Sequence, residues 1–491
     1  MKSSAFDLLG KPILAFAWLV AVAPAVALDP PPSPPALVNP LNSLTMPDGR
    51  KLIAAYFHTA PQGYSSAIWR YNADGTPDSS FNGDGFAAIP IWGYYEGAGP
   101  IVLQPDGKIV TGTDATDPSF YLDRSVTADT CHPAGCYYFP ALVRLNADGS
   151  IDTSFNGNGR IAIAIGDINS DPRGVGDFGT LTNIALQPDG KIVIYEGKRP
   201  TARVNADGTL DTTFVGDGPP AREYFIADAQ GLWYVPEEAG EAGWGIYFAQ
   251  QGEVIFAIWF TYDHSGGAWW LSAALERARE GVYTGQLYET HGPALDVSFE
   301  PKAVSATMVG EITLAFTDRN HAKFDYTAKG FSGTKTITRQ VFGPREGCSF
   351  GTLRDLARAT NYQDLWYADP PESEAGWGLA ITHQGDTIFA LWLTYDFNSK
   401  PLWLSGTAVK GPDGGYAGTL RRTWHTPFNE PWDDYGFAES ELGPFTLTFS
   451  DGDHARFHYE LMLDSSTGPS SVNQTKAITR QVFREPGTTC R

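Results

Sequence analysis

The sequence predicts an all-β protein: a propeller-like β repeat array followed by two tandem antiparallel up-and-down β-barrel modules. Three observations carry this. Gly accounts for 53 of 491 residues and aromatic residues for 13%, with Asp-Gly turns throughout, a composition suited to short strands joined by tight turns. Two turn phrases alternate through the first half, and the block Gly231–Phe342 recurs as Leu365–Phe483. No stretch of twelve or more residues holds a helical period; the nearest, Gly351–Ala359, is at most a linker helix.

A chain of 491 residues exceeds a single core. The expected divisions are a signal peptide (1–27), a Pro-rich linker (28–40), a repeat domain (41–225), a first barrel module (229–343), a linker (344–361) and a second barrel module (362–484). Lys2 and Lys11 precede an apolar run, Pro12 to Val26, that ends in Ala25-Val26-Ala27. Positive charge, a short apolar region and a small-x-small end form a secretory signal cut after Ala27, so the mature chain is expected outside the cytoplasm, secreted or periplasmic. The run is short for a bilayer and nothing later supplies about 20 apolar residues, so no membrane span is expected. The formal charge of −21 argues against nucleic acid or an anionic membrane as partner. It reads as a solubilising surface or as an acidic Ca²⁺-binding one; no other cofactor is suggested.

Four cysteines fit export. Cys131 and Cys136 close a tight loop, and Cys348 and Cys490 each follow the last strand of a module. The expected disulfides are 131–136 and 348–490, although spacing alone does not fix connectivity. A metal site at Cys131, His132 and Cys136 would lack a fourth ligand.

In the first half, Met46-Pro47-Asp48-Gly49, Gln104-Pro105-Asp106-Gly107 and Gln187-Pro188-Asp189-Gly190 form one phrase. Asn72-Ala73-Asp74-Gly75, Asn146-Ala147-Asp148-Gly149 and Asn205-Ala206-Asp207-Gly208 form the other, each followed by Asp, two small hydroxyl residues and Phe. Asp-Gly supplies the positive φ of a tight hairpin, so both phrases read as hairpin tips. Phe81, Phe155 and Phe214 read as buried anchors. Intervals of 58, 59 and 74 residues, with one of 83 across an insertion at Asp114–Tyr138, indicate a propeller or similar array, closed, open or capped by the next module. The run Arg144-Leu145-Asn146-Ala147-Asp148-Gly149-Ser150-Ile151-Asp152-Thr153-Ser154-Phe155 resembles the delta-60 repeat family. That resemblance implies a propeller-like fold and no particular chemistry. A calcium loop is the other reading of Asn-Ala-Asp-Gly-x-x-Asp, without the spaced acids and terminal Glu of an EF-hand.

In the second half, Trp233-Tyr234, Glu241-Ala242-Gly243-Trp244-Gly245 and Trp259-Phe260-Thr261-Tyr262-Asp263 return 133 residues later as Trp366-Tyr367, Glu374-Ala375-Gly376-Trp377-Gly378 and Trp392-Leu393-Thr394-Tyr395-Asp396. Ile337-Thr338-Arg339-Gln340-Val341-Phe342 returns after 141, as Ile478-Thr479-Arg480-Gln481-Val482-Phe483, which places eight extra residues in the last hairpin of the second copy. Seven or eight apolar runs per copy can bury one strand face by closing into a barrel; a β-sandwich is the second choice. The module resembles tandem modules of uncharacterised exported bacterial proteins, and more loosely lipocalin-like barrels. The latter likeness implies that Trp233 of the first strand and Arg339 of the last stack together, with Asp364 standing where the first copy has Gly231.

No Gly-x-Ser-x-Gly, His-Glu-x-x-His or phosphate loop occurs. Trp244, Trp377, Glu241, Glu374, Asp263 and Asp396 are the candidate ligand-binding residues: indoles stack on sugar rings and carboxylates accept hydroxyl protons. The same tryptophans would equally fill the barrels. The repeated pairs Asp318/His321 and Asp451/His454 read as hairpin tips, or as an acid–base or metal pair. No catalytic set is assigned. The reading is a secreted non-catalytic protein that binds an extracellular glycan or envelope component, the alternative an exported hydrolase with its site at the repeat–barrel junction.

Overall fold

A computed structural model describes residues 42–59, 63–89, 99–117, 137–165, 181–217, 221–224, 228–236, 241, 243–252, 254–295, 297–344, 348–349, 356–433, 436–465, 468–484 and 488–490. The signal peptide, the Pro-rich linker and the Cys131/Cys136 loop lie outside these residues. Among them, no helix is long and apolar enough to cross a membrane. The linker between the modules shows one 3₁₀ turn, Leu356–Arg358.

The array comprises three units. Unit 1 is the sheet β1 (Ser43–Thr45), β2 (Lys51–Thr59), β3 (Gly63–Tyr71), β4 (Phe86–Ala88). Unit 2 is β5 (Ile101–Leu103), β6 (Ile109–Asp117), β7 (Tyr137–Leu145), β8 (Arg160–Ile165). Unit 3 holds only β9 (Asn183–Leu186), β10 (Ile192–Glu196) and β11 (Arg199–Val204). The strand that follows, β12 (Ala221–Tyr224), turns back to pair with β8, Ala221 opposite Ile165. Unit 2 is therefore five-stranded and unit 3 three-stranded.

The turn phrases behave as hairpin chemistry requires. Gly149 has φ 87°, and the Asp148 carboxylate caps its own turn, accepting from Ser150 N at 3.0 Å and Ser150 Oγ at 2.6 Å. The anchors lie between units rather than within them. Phe81 shares a core with Ile109 and Leu145 of unit 2, and Phe155 shares one with Ile192 and Val204 of unit 3. Phe214, read from sequence as a third buried anchor, is only half-buried, and among the described residues no turn glycine lies on its ring.

Both modules are closed eight-stranded antiparallel barrels. Barrel 1 is β13 (Gly231–Tyr234), β14 (Gly245–Gln251), β15 (Val254–Tyr262), β16 (Ala268–Arg279), β17 (Val282–His291), β18 (Ser305–Phe316), β19 (His321–Ala328) and β20 (Phe331–Arg339). A two-residue strand, β21 (Cys348–Ser349), follows it. Barrel 2 is β22 (Asp364–Ala368), β23 (Gly378–Gln384), β24 (Thr387–Tyr395), β25 (Pro401–Lys410), β26 (Tyr416–Trp424), β27 (Ala438–Phe449), β28 (His454–Ser465) and β29 (Gly468–Arg480), and β30 (Thr489–Cys490) ends the chain. The copies agree to the position of a β-bulge, Leu287/Tyr288 in one and Leu420/Arg421 in the other. The extra residues of the second copy lengthen the last hairpin: β28 and β29 have 12 and 13 residues against 8 and 9 in β19 and β20.

First and last strands close each barrel, and the closure is cationic. Trp233 pairs in register with Arg339 and Trp366 with Arg480. The guanidinium groups stand 4.8 Å and 5.2 Å from the indole centroids. Arg480 is further held by the carbonyls of Gly452, Gln363 and Asn361. Each buried arginine has an acid within 4 Å of its guanidinium, placed differently: Asp228 before β13 at 3.8 Å in barrel 1, Asp364 within β22 at 3.5 Å in barrel 2, where Asp453 acts on Arg480 as well. Burial pushes the Asp364 carboxyl up to about 7, against the pull of Arg480.

The barrels form one unit. Their buried residues make a single hydrophobic cluster, and contacts across the interface come in equivalent pairs. Trp270 Nε1 donates to Thr394 O at 3.0 Å, and its counterpart Trp403 Nε1 donates to Thr261 O at 2.8 Å. Gln251 Nε2 donates to Gln481 O (2.8 Å) while its Oε1 accepts from Phe483 N and Arg484 N. Gln384 does the same to Gln340 O (3.1 Å), Phe342 N and Gly343 N. The arrangement is a covalently joined pseudo-two-fold dimer. A disulfide, Cys348–Cys490, joins β21 to β30 and so ties the end of one module to the end of the other.

Candidate functional site

Both Glu-x-Gly-Trp-Gly phrases lie where a barrel's second strand begins. The turn needs its second-last glycine: Gly376 has φ 127°, and a Cβ there would meet Val304 at 2.5 Å. The tryptophan that follows points inward. Trp244 is 5% exposed and Trp377 2%, so neither offers a free face for a sugar ring.

The glutamates are held at the surface by lysines of the last strand. Lys335 Nζ on β20 lies 2.6 and 2.8 Å from the two oxygens of Glu241, and Lys476 Nζ on β29 lies 2.5 Å from Glu374 Oε2. The same Glu374 oxygen accepts from Trp377 Nε1 at 2.8 Å, and the Lys476 ammonium stands 5.0 Å over the Trp377 ring. Carboxylate, ammonium and indole form one clasp, partly open to solvent: Glu374 and Lys476 side chains are 31% and 17% exposed. Beneath each Glu–Lys pair lies a tilted aromatic pair, Trp259 with Tyr326 and Trp392 with Tyr459, both at 4.5 Å between centroids. Burial, then the nearby glutamate charge, raises both phenols. Trp259 Nε1 and Trp392 Nε1 are buried without a hydrogen-bond partner among the described residues.

Beside the barrel 2 clasp is a hollow of 330 Å³ whose walls include Asp369, Ser373, Glu374, Gln474, Thr475 and Lys476. Tyr459 OH donates to Gln474 Oε1 at 2.7 Å along one wall. In barrel 1 the position of Gln474 is Gly333, whose missing Cβ leaves room for Tyr326 OH. The hollow is therefore polar, with donors and acceptors of both charges, suited to a hydroxyl-rich ligand.

Asp263 and Asp396 are placed apart from the clasps in role. Each closes its own hairpin: Asp263 accepts from Ser265 N (2.8 Å), Ser265 Oγ (2.6 Å) and Gly267 N (3.1 Å), and Asp396 from Asn398 N and Lys400 N. The two hairpins lie against the opposite barrel, His425 N donating to Gly266 O and Gly292 N to Ser399 O. Among the candidate residues the structure thus joins Glu374 to Trp377 directly. Lys335 and Lys476 were not singled out from sequence, although Thr-Lys precedes the final shared phrase in both copies.

Elsewhere, the Asp/His pairs close hairpin tips, His321 Nδ1 at 2.9 Å from Asp318 and His454 Nδ1 at 3.1 Å from Asp451, with half of each imidazole exposed. Where the array meets barrel 1, Arg160 lies buried among Asp228, Arg319 and Tyr283, and burial brings its guanidinium down to about 10. Among the described residues no group of three or more His, Cys, Asp or Glu is arranged to hold a metal ion.

A family model described as a domain of unknown function (DUF5122) β-propeller matches residues 47–81, 135–155 and 201–214, within the three units of the array. These three stretches of the array are similar to a propeller-like repeat family. No curated protein matches the sequence. Among solved structures, the GH43 BlXynB protein from Bacillus licheniformis is similar at 10% identity over 92% of this chain and 98% of that one, with a TM-score of 0.19. A single-substitution mutant of the same protein gives 10% identity, 93% and 96% coverage and a TM-score of 0.21. Scores this low fall short of a shared architecture.

Proposed function

We propose that this chain is an exported, non-catalytic binding protein that takes the hydroxyl groups of an extracellular or envelope polysaccharide at the barrel clasps. One observation carries the reading: a Glu–Lys pair from residues 94 and 102 positions apart forms in both barrels, and in barrel 2 it closes over the buried Trp377 and opens on a 330 Å³ hollow. A carboxylate accepting from hydroxyls and an ammonium donating to them are the polar half of sugar recognition. The buried indoles give the clasp rigidity instead of a stacking platform. Two sites on one rigid pair of barrels favour a repeating polymer, because the second contact becomes intramolecular.

Export is supported by the Cys348–Cys490 disulfide and by the N-terminal sequence. A hydrolase site at the repeat–barrel junction has less to draw on, since the groups acting on the buried Arg160 there are Asp228, Arg319 and Tyr283, with one carboxylate among them. Paired carboxylates are what hydrolysis of a glycosidic bond needs.

The test is retention on a panel of immobilised polysaccharides, with Glu374→Gln and Lys476→Met as probes. Retention of the parent on at least one polymer, weakened about tenfold or more by either substitution at unchanged thermal stability, supports the reading. No retention on any polymer, or retention indifferent to both substitutions, removes it.

A further inference from the structure

The units of the array are joined by one repeated latch, and the last latch is open. In unit 1, Arg70 binds Asp78 through Nε at 2.8 Å, covers the Phe81 ring at 4.6 Å, and donates through Nη1 to Ala147 O of the next unit's Asn-Ala-Asp-Gly turn. In unit 2, Arg144 binds Asp152 at 2.6 Å, covers Phe155 at 4.6 Å and donates to Ala206 O at 2.6 Å. A backbone bond accompanies each: Asn82 N to Asp148 O and Asn156 N to Asp207 O, both 2.6 Å. The turn glycine sits on the anchor ring, so closely that a Cβ on Gly149 would lie 2.9 Å from Phe81 and one on Gly208 2.6 Å from Phe155.

Unit 3 repeats the receiving half. Arg203 binds Asp211 through Nε at 2.8 Å and covers Phe214 at 4.9 Å. Its Nη1 meets no carbonyl among the described residues, and its side chain is 23% exposed against 3% and 7% for Arg70 and Arg144. Val215, in the place of Asn82 and Asn156, is 92% exposed. Unit 1 holds the matching half: Gly75 faces open space where Gly149 and Gly208 meet a ring. The carbonyls of Ala73 and Asp74, counterparts of the latched ones, accept from no donor among the described residues.

We infer that the Arg203–Phe214–Val215 end of the array docks the Asn72–Gly75 turn of a second copy of this chain. The fit is defined by two internal examples: a guanidinium and a backbone N–H donate to successive carbonyls, and a glycine lies on a phenyl ring. Charge agrees with it, since Arg70 and Arg144 act electrostatically on Asp148 and Asp207 of the turns they hold, and Asp74 would stand in that place beside Arg203. The two ends differ, so the contact is head-to-tail and each chain offers one of each.

Sedimentation velocity of the full chain over a concentration series tests this. Two variants block one end each. Val215→Asp puts a carboxylate against Asp74 at a fully exposed position, and Gly75→Asn keeps a residue that tolerates positive φ while adding the Cβ that would strike Phe214. The parent should associate as concentration rises, and each variant alone should associate at least about tenfold more weakly. An equal mixture of the two should recover a dimer and stop there, because only one productive pair of ends remains. A parent that stays monomeric throughout, association indifferent to both variants, or a mixture that behaves as its components would each overturn the assignment. Thermal melts of both variants matching the parent exclude misfolding as the cause of a loss.

Discussion

Removing either interface glutamine should weaken both barrels, and by the same amount. Gln251 is fully buried and Gln384 6% exposed, and each makes three hydrogen bonds into the tail of the other barrel. Gln384→Ala removes the acceptor of Phe342 N and Gly343 N and the donor to Gln340 O; Gln251→Ala does the equivalent at Phe483, Arg484 and Gln481. At about 1 kcal/mol per net bond, each substitution should cost about 3 kcal/mol. Water reaches part of the orphaned backbone at Phe342 and Arg484, which are exposed, so the cost stays below the full penalty for three buried groups. Urea unfolding followed by tryptophan emission reports it, with 14 tryptophans in the chain. The two variants should agree within about 1 kcal/mol, since the geometry repeats. A cost under about 0.5 kcal/mol, or a cost at one glutamine and none at the other, would refute the pseudo-two-fold interface.

The remaining expectations concern other parts of the chain. Asp364, with its folded-state pKa raised to about 7, holds a proton that the unfolded chain has already lost, so its contribution is present in full below the unfolded value and is lost as pH rises through 7. The stability of Asp364→Asn relative to the parent should therefore rise between pH 4 and 7, by up to about 1.4 kcal/mol per pH unit. The comparison with the parent cancels His383, whose burial lowers it to about 4 and whose stabilisation runs the other way, lost as pH falls from its unfolded value through 4. In the array, Arg144→Met strands the buried Asp152 with Lys108 as its remaining cation at 2.9 Å. That should cost about 3 kcal/mol by urea unfolding of the array signal. Replacing Cys348 and Cys490 by Ser should cost about 3 kcal/mol in the barrels, and unchanged stability would mean that the link constrains neither module.

The parts of this fold that could be read from sequence are those written twice in local patterns. The hairpin tips and the seven or eight strands of each barrel follow from repeated phrases, the Trp233–Arg339 closure from the likeness to lipocalin-like barrels, and the 348–490 pairing, which spacing alone leaves open, from the equivalent module ends it joins; the closure persists in barrel 2 although Asp364 replaces the glycine. The clasps were half legible. Glu241 and Glu374 precede the Gly-Trp-Gly turns, but their lysines lie 94 and 102 residues away, on a strand that becomes a neighbour only when the barrel closes. The choice between a sugar-binding and a barrel-filling role for Trp244 and Trp377 was beyond reach of spacing, because an indole at a strand's start reads the same whether it faces in or out. The interface left a signal of another kind. β14 and β23 are buried at all seven positions, on both faces, and their first halves, Gly245–Ala249 and Gly378–Ile381, read as apolar across the alternation that a solvated barrel wall requires. Phe214 departs from its repeats because burial of Phe81 and Phe155 comes from the unit that follows each, a contact not written in the local phrase.

Binding stoichiometry bears most directly on the proposed role of the two clasps. Calorimetric titration of the chain with a short oligomer of whichever polysaccharide retains it should give two sites per chain, one after either Glu241→Gln or Glu374→Gln, and none after both. A single site, or a count untouched by the paired substitutions, would contradict it.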